Sequence, residues 1–250
     1  MDKALIRSRF AKASGSYLGQ ATVQRGIALR MADLIGLYVP AESHRRVLEI
    51  GCGTGLFTRA YLHRWHPERM LLNDLCPEME PFLRDVLRPE ISFSASDAER
   101  LEFPGGQNLI VSCSALQWFD APERFLCGCK GLLEEGGYLA FSTFGRQNAQ
   151  EIRALTSDAL PYRSLEELAG ALSDTYRVVY ASEEEVRLSF PSPLEVLRHL
   201  KATGVTGIRS CTWTKAQLAS FCRSYTERYA APDGTVPLTY HPMYVICRKY

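Results

Sequence analysis

The sequence predicts an α/β protein in which a mostly parallel sheet carries helices on both faces. Between Arg46 and Thr143, short apolar runs typical of strands alternate with stretches of helical spacing, the pattern of βαβ units. A glycine-rich segment, residues 51–55, lies where the first strand passes into a helix. Tyr176–Phe190 has mostly apolar even positions, which fits a strand pair or one bulged strand antiparallel to a closing strand at Met243–Arg248.

Length and composition exclude several function classes. The chain has 250 residues, enough for one large domain or for a domain with a small lid. A net charge of +1 gives no case for nucleic-acid binding. No apolar run approaches membrane-spanning length and no signal peptide begins the chain, so we expect a cytoplasmic protein without membrane association. The eight cysteines are scattered without metal-ligand spacing, and we expect reduced thiols and no metal.

The N-terminal segment, Met1–Tyr38, has helical periodicity and a local excess of positive charge. In its first thirty residues six basic side chains accompany a single acid, Asp2. The basic side chains are Lys3, Arg7, Arg9, Lys12, Arg25 and Arg30. They form either a solvated helix face or a basic arm that covers a ligand cavity or meets an acidic partner.

Five strands are expected in the region that follows, with a ligand site at their carboxyl ends. We place them near Arg46–Ile50, Met70–Asn73, Ile91–Ala95, Leu109–Ser112 and Tyr138–Thr143. Ligands of such sheets bind where the strand order reverses. Further along, Pro193–Thr203 and Thr214–Tyr229 are expected to be helices. A shorter amphipathic helix around Glu151–Arg153 would bury Ala149, Ile152 and Leu155.

The glycine loop distinguishes two ligand classes. A dinucleotide site requires G-x-G-x-x-G, but here the glycines alternate with single residues and an acid stands two positions before the first. This E-x-G-x-G-x-G pattern resembles motif I of the class I S-adenosylmethionine methyltransferases. The resemblance implies a Rossmann-like, seven-stranded, mostly parallel sheet with one antiparallel strand and added lid helices. It also implies that S-adenosylmethionine is bound by Glu49, Gly51, Cys52, Gly53 and Gly55.

Acidic residues follow the second and third strands. Asp74 lies 19 residues past Gly55, where a carboxylate can accept hydrogen bonds from ribose hydroxyls. A helix cap before Pro77 is the alternative role for Asp74. The resemblance implies that Asp97 binds the adenine amino group, that the N–H of Ala98 contacts the ring, and that Leu75 packs on it.

The segment after the fourth strand makes the resemblance more specific. Its S-x-x-A-L-Q-W pattern, residues 112–118, resembles methyltransferases that esterify small carboxylic acids. This implies cofactor contacts from Ser112 and Gln117 and acceptor contacts from Gln117 and Trp118, although Trp118 could instead be a packing aromatic. Upstream, F-A-K-A-S-x-x-Y-x-x-Q resembles a lid segment whose Tyr17 and Gln20 approach the cofactor.

Three later segments are more specific. Residues 141–153, 197–204 and 237–240 resemble segments of the malonyl-acyl carrier protein O-methyltransferase family of biotin synthesis, in the same order. The resemblance implies methylation of the free carboxylate of malonyl-acyl carrier protein, or malonyl-CoA, to the ester that primes pimeloyl and biotin synthesis. One departure is Ser112-Cys113, where Ser-Asn is expected. Acceptor contacts are assigned to Tyr17, Gln117, Trp118, Thr143, Arg153, Lys201 and Tyr240.

The chemistry requires no general base, because a malonyl carboxylate with a pKa near ~4 is ionised at pH 7. Arg153 can bind that carboxylate through two parallel hydrogen bonds, unless it is a surface arginine. We expect a monomer. Three alternatives stay open: another small carboxylic acid or amine as acceptor, a non-enzymatic cofactor-binding protein, and, disfavoured by the glycine spacing, a dehydrogenase.

The domain boundaries follow from these assignments. Residues 1–40 form an N-terminal helical lid and residues 41–145 the S-adenosylmethionine-binding core. Residues 146–175 and 191–235 are helical substrate-lid insertions, and residues 176–190 and 236–250 are closing strands of the core sheet. A second basic cluster on the insertion, with Arg198, Lys201, Arg209 and Lys215 against Glu195, is a candidate contact for the acidic carrier.

Overall fold

A seven-stranded sheet organises the protein, as the computed structural model shows. The model describes residues 2–156, 160, 162–204 and 213–250, except for the side chains of residues 13, 14 and 16–18. The strands are β1 Arg46–Ile50, β2 Arg69–Asp74, β3 Ile91–Ala95, β4 Gln107–Cys113, β5 Leu133–Phe144, β6 Tyr176–Glu183, β7 Val186–Phe190, β8 Val236–Tyr240 and β9 Pro242–Lys249. All five predicted core strands are confirmed, and three of them are longer than predicted.

The strand order is β3-β2-β1-β4-β5-β9-β6, and only β9 runs antiparallel within it. The predicted fold class is therefore confirmed. The order reverses between β1 and β4, whose carboxyl ends lie side by side because Ile50 pairs with Ser112. Loops from both strands therefore meet at this point, which is where sheets of this type bind ligands.

Both faces of the sheet are buried, which explains the continuous apolar strands. Val47, Val111 and Ile246 pack on one face, and Leu48, Ile110 and Phe141 pack on the other. The alternation along each strand sends successive side chains to opposite faces.

The closing strands differ in part from the prediction. Tyr176–Phe190 is a strand pair, and β6 pairs antiparallel with β9 with a register shift between Val178 and Tyr180. However, β7 and β8 do not join the core sheet. They form a separate two-stranded antiparallel sheet in which Leu188 pairs with Leu238. β6 is the last strand of the core sheet, and β7, which follows it in the chain, pairs with β8 instead of adding to that edge.

Eight α-helices are described around the sheets. They are α1 Lys3–Gln20, α2 Thr22–Tyr38, α3 Leu56–Leu62, α4 Pro122–Gly128, α5 Gln150–Arg153, α6 Leu165–Leu172, α7 Pro193–Ala202 and α8 Lys215–Tyr229. The helical prediction for the N-terminal segment is confirmed, and α7 and α8 match within one residue. Within the described residues, no helix is both long and apolar enough to cross a bilayer.

One helix is shorter than expected. α5 has a single turn, because Ala149 adopts the left-handed conformation at its N-cap, with φ +50°. Ala149 therefore lies outside the helix, although it still packs against the core. Glu151 is buried and accepts hydrogen bonds from the backbone N–H (3.1 Å) and Oγ1 (2.5 Å) of Thr239, which ties α5 to β8.

Candidate active site

A cavity of about 1110 Å³, its open mouth included, lies at the carboxyl ends of β1, β2, β3 and β4. The loops after these four strands form its floor and walls. The two N-terminal helices enclose it further: α1 contributes Lys3, Ile6 and Phe10, and α2 contributes Gln24 and Ala28. The cavity is therefore at the reversal point that the strand order defines.

The glycine loop forms the floor beneath the reversal point. Gly51 and Gly53 have φ values of +68° and +52°, the left-handed region that glycine adopts without strain. The N–H of Cys52 donates to the carbonyl of Asn73 (2.9 Å), so the loop is fixed against β2. A Cβ at Gly51 would lie 2.4 Å from the Cβ of Ala115, beyond β4. The glycine thus allows the loops after β1 and β4 to touch.

Glu49 is a buried carboxyl group in the cavity wall, only 2% exposed. It accepts a hydrogen bond from Oγ1 of Thr58 on α3 (2.8 Å). Burial, which disfavours the charged form, raises the pKa of Glu49 to about 8. A positively charged ligand in this part of the cavity would offset that penalty.

Asp74, at the end of β2, is held from two sides. Its Oδ2 accepts the N–H of Gly53 (2.8 Å) and its Oδ1 accepts the N–H of Cys76 (2.9 Å). Burial raises the pKa of Asp74, and these backbone hydrogen bonds partly oppose the increase. Each carboxylate oxygen can accept a second hydrogen bond. Structuring the loop and binding ribose hydroxyls are therefore compatible roles for one side chain.

Asp97, after β3, is bound by the N-terminal helix. Nζ of Lys3 lies 2.9 Å and 2.7 Å from its two carboxylate oxygens, and 2.5 Å from Oε2 of Glu99. Ala98 and Leu75 also line the cavity. The predicted adenine residues therefore come together at one end of the cavity. Lys3 was predicted only as one of the basic residues of the N-terminal arm, and its contact with Asp97 was not predicted, since nothing local in the sequence links the two.

The segment after β4 forms one wall of the cavity, to which Trp118 contributes its ring. Trp118 lines the cavity and packs edge-to-face on Phe10, with ring centroids 5.4 Å apart. Nε2 of Gln117 donates to the carbonyl of Ser114 (2.6 Å), so Gln117 stabilises the turn. Oε1 of Gln117 and Oγ of Ser112 are buried without a hydrogen-bond partner in the described structure. Neither residue lines the cavity as described, and their ligand contacts stay predictions.

The predicted lid residues on α1 give a mixed result. The side chain of Tyr17 lies outside the described part of the molecule. Gln20 is exposed at the last residue of α1 and does not line the cavity as described. Gln24, on α2, does line it and is 7% exposed. A signal for Gln24 existed in the sequence, because it is a polar residue on the apolar stripe with Ile27 and Met31.

The four remaining acceptor candidates lie outside the cavity lining. Thr143 is buried in β5 and Lys201 is exposed on α7. Arg153 donates from Nη1 to the carbonyl of Arg146 and lies over the ring of Tyr162. Tyr240 is 3% exposed, and its hydroxyl lies 2.9 Å from Nε2 of His199. Their contacts with an acceptor remain predictions.

Three thiols face the cavity, those of Cys52, Cys76 and Cys113. Burial raises the pKa of each, to about 12 for Cys76. They are therefore protonated at neutral pH and act as small apolar groups rather than nucleophiles. Within the described residues, no group of three or more metal-ligating side chains occurs.

The residues present fit S-adenosylmethionine. Asp74 ends β2 and Asp97 follows the adjacent strand β3, where the two carboxylates could bind a ribose and an adenine. Glu49 lies toward the reversal point, where its buried carboxyl group favours a positive charge on the ligand. The left-handed glycines leave the loop backbone open to close approach. A pyrophosphate would instead be placed near three carboxyl groups, which disfavours a dinucleotide.

Comparison with known proteins decides the family. A malonyl-[acyl-carrier protein] O-methyltransferase of Bacteroides thetaiotaomicron is 48% identical in an alignment of 261 positions that covers 100% of this chain and 99% of that protein. The chain belongs to the malonyl-[acyl-carrier protein] O-methyltransferase family. A relative of that name from Bacteroides fragilis is 49% identical over 247 residues, 99% of this chain. The chain spans 50% of the length of the Bacteroides fragilis relative.

Broader comparisons agree with this family. The family model for a methyltransferase domain matches residues 48–141, from β1 into β5. The YcgJ protein of Bacillus subtilis aligns with a TM-score of 0.62 at 14% identity, covering 88% of this chain and 97% of that chain. The N-methyltransferase NodS of Bradyrhizobium japonicum, solved with S-adenosylhomocysteine, aligns with a TM-score of 0.51 at 17% identity. The alignment covers 88% of this chain and 85% of that chain. The two structures support the fold of this malonyl-[acyl-carrier protein] O-methyltransferase family member.

Proposed function

We propose that the protein transfers a methyl group from S-adenosylmethionine to the free carboxylate of malonyl-acyl carrier protein. The malonyl group could also be carried on coenzyme A. The product would be the malonyl methyl ester that primes pimeloyl and biotin synthesis. The observation that carries this proposal is the 48% identity to a malonyl-[acyl-carrier protein] O-methyltransferase over the whole length of both chains.

The cavity residues have separate tasks in binding the donor. Asp74 would accept hydrogen bonds from the ribose hydroxyls, and Asp97 from the adenine amino group. Glu49 and the glycine loop would hold the amino-acid end. When bound, S-adenosylmethionine supplies a methyl group activated by its attachment to a sulfonium.

The protein's contribution is to orient the reactants. The acceptor carboxylate has an unperturbed pKa near ~4 and is already ionised at pH 7. No side chain has to remove a proton, and the protonated thiols of the cavity do not compete as nucleophiles. Alignment of two reactants can supply ~7–11 kcal/mol of the barrier reduction. In this proposal Arg153, with Tyr17, Gln117 or Tyr240, orients the acceptor carboxylate, and Trp118 and Phe10 exclude water.

The helical segments outside the core would act as lids over the reactants. α1 lines the cavity and packs against α7. On α7, Lys201 is exposed and Arg198 is paired with Glu195 at the surface, while Arg209 lies outside the described residues. These charges suit an acidic carrier, and the complex should therefore weaken as salt concentration rises. A monomer in the cytoplasm is part of the same proposal.

The ester has a physical purpose, because methylation removes the charge at the end of the acyl chain. A neutral end can enter an apolar pocket that would otherwise have to desolvate a carboxylate.

Intact-mass spectrometry of the carrier protein tests the proposal. Malonyl-acyl carrier protein incubated with enzyme and S-adenosylmethionine should gain the mass of one methylene, and acetyl-acyl carrier protein, which lacks the free carboxylate, should gain none. Malonyl-CoA and a free acid such as aconitate serve as alternative acceptors. Methylation of the free acid without methylation of either malonyl thioester would refute the proposed acceptor.

A further inference from the structure

Arg59, on α3, connects the glycine loop to the segment that follows β2. Its Nη1 donates to the carbonyls of Thr54 (2.6 Å) and Gly55 (3.1 Å), in the second half of the loop. Its Nη2 donates to the carbonyl of Phe82 (2.5 Å), in the short 3₁₀ helix Pro77–Leu83 after β2. Thr54 lines the donor cavity and so does this helix, but Arg59 itself does not in the described structure. Arg59 therefore bridges two walls of the cavity from outside it.

The Arg59 side chain also pairs with Asp85. Nε and Nη2 donate to the two carboxylate oxygens of Asp85 (2.9 and 2.6 Å), so the guanidinium makes five hydrogen bonds, as many as it has N–H groups. The side chains of Arg59 and Asp85 are 38% and 59% exposed, and an exposed ion pair contributes little to stability. The three hydrogen bonds to backbone carbonyls are therefore the ones that connect the loop with the 3₁₀ helix.

The last glycine of the loop makes room for Arg59. In the described part of the chain, Gly55 does not line the cavity. A Cβ at this position would lie 2.6 Å from Nη1 of Arg59 and 2.8 Å from Cδ2 of Leu83. Gly55 also has φ +81°, in the left-handed region. A side chain at position 55 would therefore push the guanidinium away from the loop.

The glycine loop is fixed from two directions. The N–H of Cys52 donates to the carbonyl of Asn73 (2.9 Å) and the N–H of Gly53 donates to Oδ2 of Asp74 (2.8 Å), which attaches the first half of the loop to β2. Arg59 holds the second half. Three glycines in five residues give the free loop unusual backbone freedom, and ordering such a loop on binding lowers affinity. A contact that orders the loop before the ligand arrives removes this cost.

We propose that Arg59 is a positioning residue for the methyl donor. It holds the glycine loop and the segment after β2 in their ligand-binding arrangement before the donor binds. This inference rests on the proposed function, because it requires S-adenosylmethionine in the cavity. It gives the third glycine of the loop a task that is separate from ligand contact, since Gly55 admits the Arg59 guanidinium.

Donor affinity and acceptor kinetics separate this role from a general effect on the fold. We expect Arg59→Met to weaken S-adenosylhomocysteine binding about tenfold in calorimetry, the equivalent of ordering roughly one loop residue on binding. The KM for S-adenosylmethionine should rise by a similar factor. The kcat at saturating donor and the KM for the malonyl thioester should be unchanged. The matched control is Arg64→Met: Arg64 follows α3, has a similarly exposed side chain (42%) and pairs with Asp33, and neither residue lines the cavity as described.

Two further variants distinguish the bridge from the charge of Arg59. Burial raises the pKa of Glu49, and the positive charge of Arg59 partly opposes that increase, so the charge alone is a second route to donor binding. Arg59→Lys keeps the charge but replaces the planar fork by a single nitrogen, and should bind S-adenosylhomocysteine as weakly as Arg59→Met. Asp85→Asn removes the ion pair and leaves the three carbonyl contacts, and its affinity should stay within about twofold of the wild type.

Hydrogen exchange measures the order of the loop directly. In ligand-free Arg59→Met, the amides of residues 54–56 should exchange faster than in the wild type, and saturating S-adenosylhomocysteine should restore their protection. Gly55→Ala should weaken binding and speed exchange in the same way, because its methyl group displaces the guanidinium. Gly55→Ala combined with Arg59→Met should bind no more weakly than Gly55→Ala alone, since both changes break one contact.

The outcomes are distinct. Wild-type affinity in Arg59→Met would overturn the inference, and full affinity in Arg59→Lys would overturn it by assigning the effect to charge. Weaker binding with unchanged exchange of residues 54–56, or an equal loss in Arg64→Met, would overturn it as well. If Arg59→Met does not fold, Arg59→Lys and Gly55→Ala carry the same test. A wild-type protein that does not bind S-adenosylhomocysteine would instead overturn the proposed function itself.

Discussion

The ammonium group of Lys3, at the start of α1, lies 2.7 Å from Oδ2 of Asp97, the carboxylate that follows β3. The same group contacts Glu99 (2.5 Å). The N-terminal helix is thereby attached to the end of the cavity where adenine would bind. Both partners are about three-quarters buried, with side chains 25% and 26% exposed, so salt screens this pair less than a surface pair.

Replacing Lys3 by methionine should therefore loosen α1. We expect the free energy of unfolding to fall by about 1–2 kcal/mol, because partly buried, charge-assisted hydrogen bonds contribute more than the surface ion pairs, which contribute about 0–1 kcal/mol. Urea denaturation measures this change. The matched control is Arg45→Met, which removes an ion pair with Glu68 whose side chains are 65% and 59% exposed. An equal effect of the two substitutions would show that the Lys3 contacts are ordinary surface pairs.

Two substitutions in the glycine loop should separate the effect of backbone strain on stability from the effect of a steric contact. Gly51→Ala combines a left-handed φ with a Cβ 2.4 Å from Ala115, and should destabilise the protein by about 2–4 kcal/mol. Gly53→Ala has the same kind of φ but nothing within 4 Å of its Cβ, and should lose only about 1–2 kcal/mol.

Adding Ala115→Gly to Gly51→Ala should recover the stability lost to the steric contact. The stability lost to backbone strain should not be recovered. Thermal unfolding of the three variants measures these effects. If Ala115→Gly gives no recovery, the contact between the loops after β1 and β4 is not what requires glycine at position 51.

Donor binding should release a proton near neutral pH. Burial raises the pKa of Glu49 to about 8, so Glu49 is mostly protonated in the free protein at pH 7. A bound cation favours the carboxylate and lowers that pKa. Calorimetry of S-adenosylmethionine in buffers of different ionisation enthalpy counts the protons released. Glu49→Gln should abolish the release, and a wild-type value of zero would contradict the assignment of Glu49 to the charged end of the ligand.

His44 should make stability depend on pH. Its Nδ1 lies 2.8 Å from the hydroxyl of Tyr61, and its ring stacks on Trp65. Burial lowers the pKa of His44 below its ordinary value near 6.5, so the unfolded chain binds a proton more readily than the folded protein. The contribution of neutral His44 to the free energy of unfolding is complete above pH ~6.5. It declines as pH falls through the window between the unfolded and folded pKa values, at up to about 1.4 kcal/mol per pH unit.

The pH dependence of stability must be compared between the wild type and a variant without His44, because Glu49 changes the stability with pH in the opposite direction. Its folded-state pKa is raised, so its stabilising protonation is lost as pH rises toward about 8. The double variant His44→Phe with Tyr61→Phe removes both partners of the hydrogen bond between these side chains, so neither is left facing a lost partner. Urea denaturation at a series of pH values should show a smaller loss on acidification in the double variant. Parallel pH dependences would exclude His44 as the cause.

The parts of the fold that the sequence predicted well were set by local patterns. β1 and β3 have the predicted bounds, because their apolar runs end at the glycine loop and at the Asp97 turn. The end of α2 matches as well, since the apolar spacing from Val23 to Ile35 is regular. Cavity residues such as Gly51 and Asp74 could be found because the chemistry lies at strand ends, which the sequence marks.

The features of the fold and the site that the sequence did not predict depend on contacts between residues distant in the chain. The alternation in β7 is compatible with either sheet, and only its pairing with the distant strand β8 assigns it to the smaller one. The contact between Lys3 and Asp97 joins residues 94 positions apart. Gln24 was missed because the lid pattern favoured Gln20, and which of the two faces the cavity depends on how α2 packs against β5.

The central claim is that this cavity binds the activated methyl donor. Isothermal titration of S-adenosylhomocysteine into the wild-type protein tests it most directly, with Asp97→Ala as the comparison. The account predicts saturable binding at one site, and affinity about tenfold lower in the variant because one hydrogen bond to a charged group is lost. Absence of any binding heat in the wild type across a range of temperatures would contradict it.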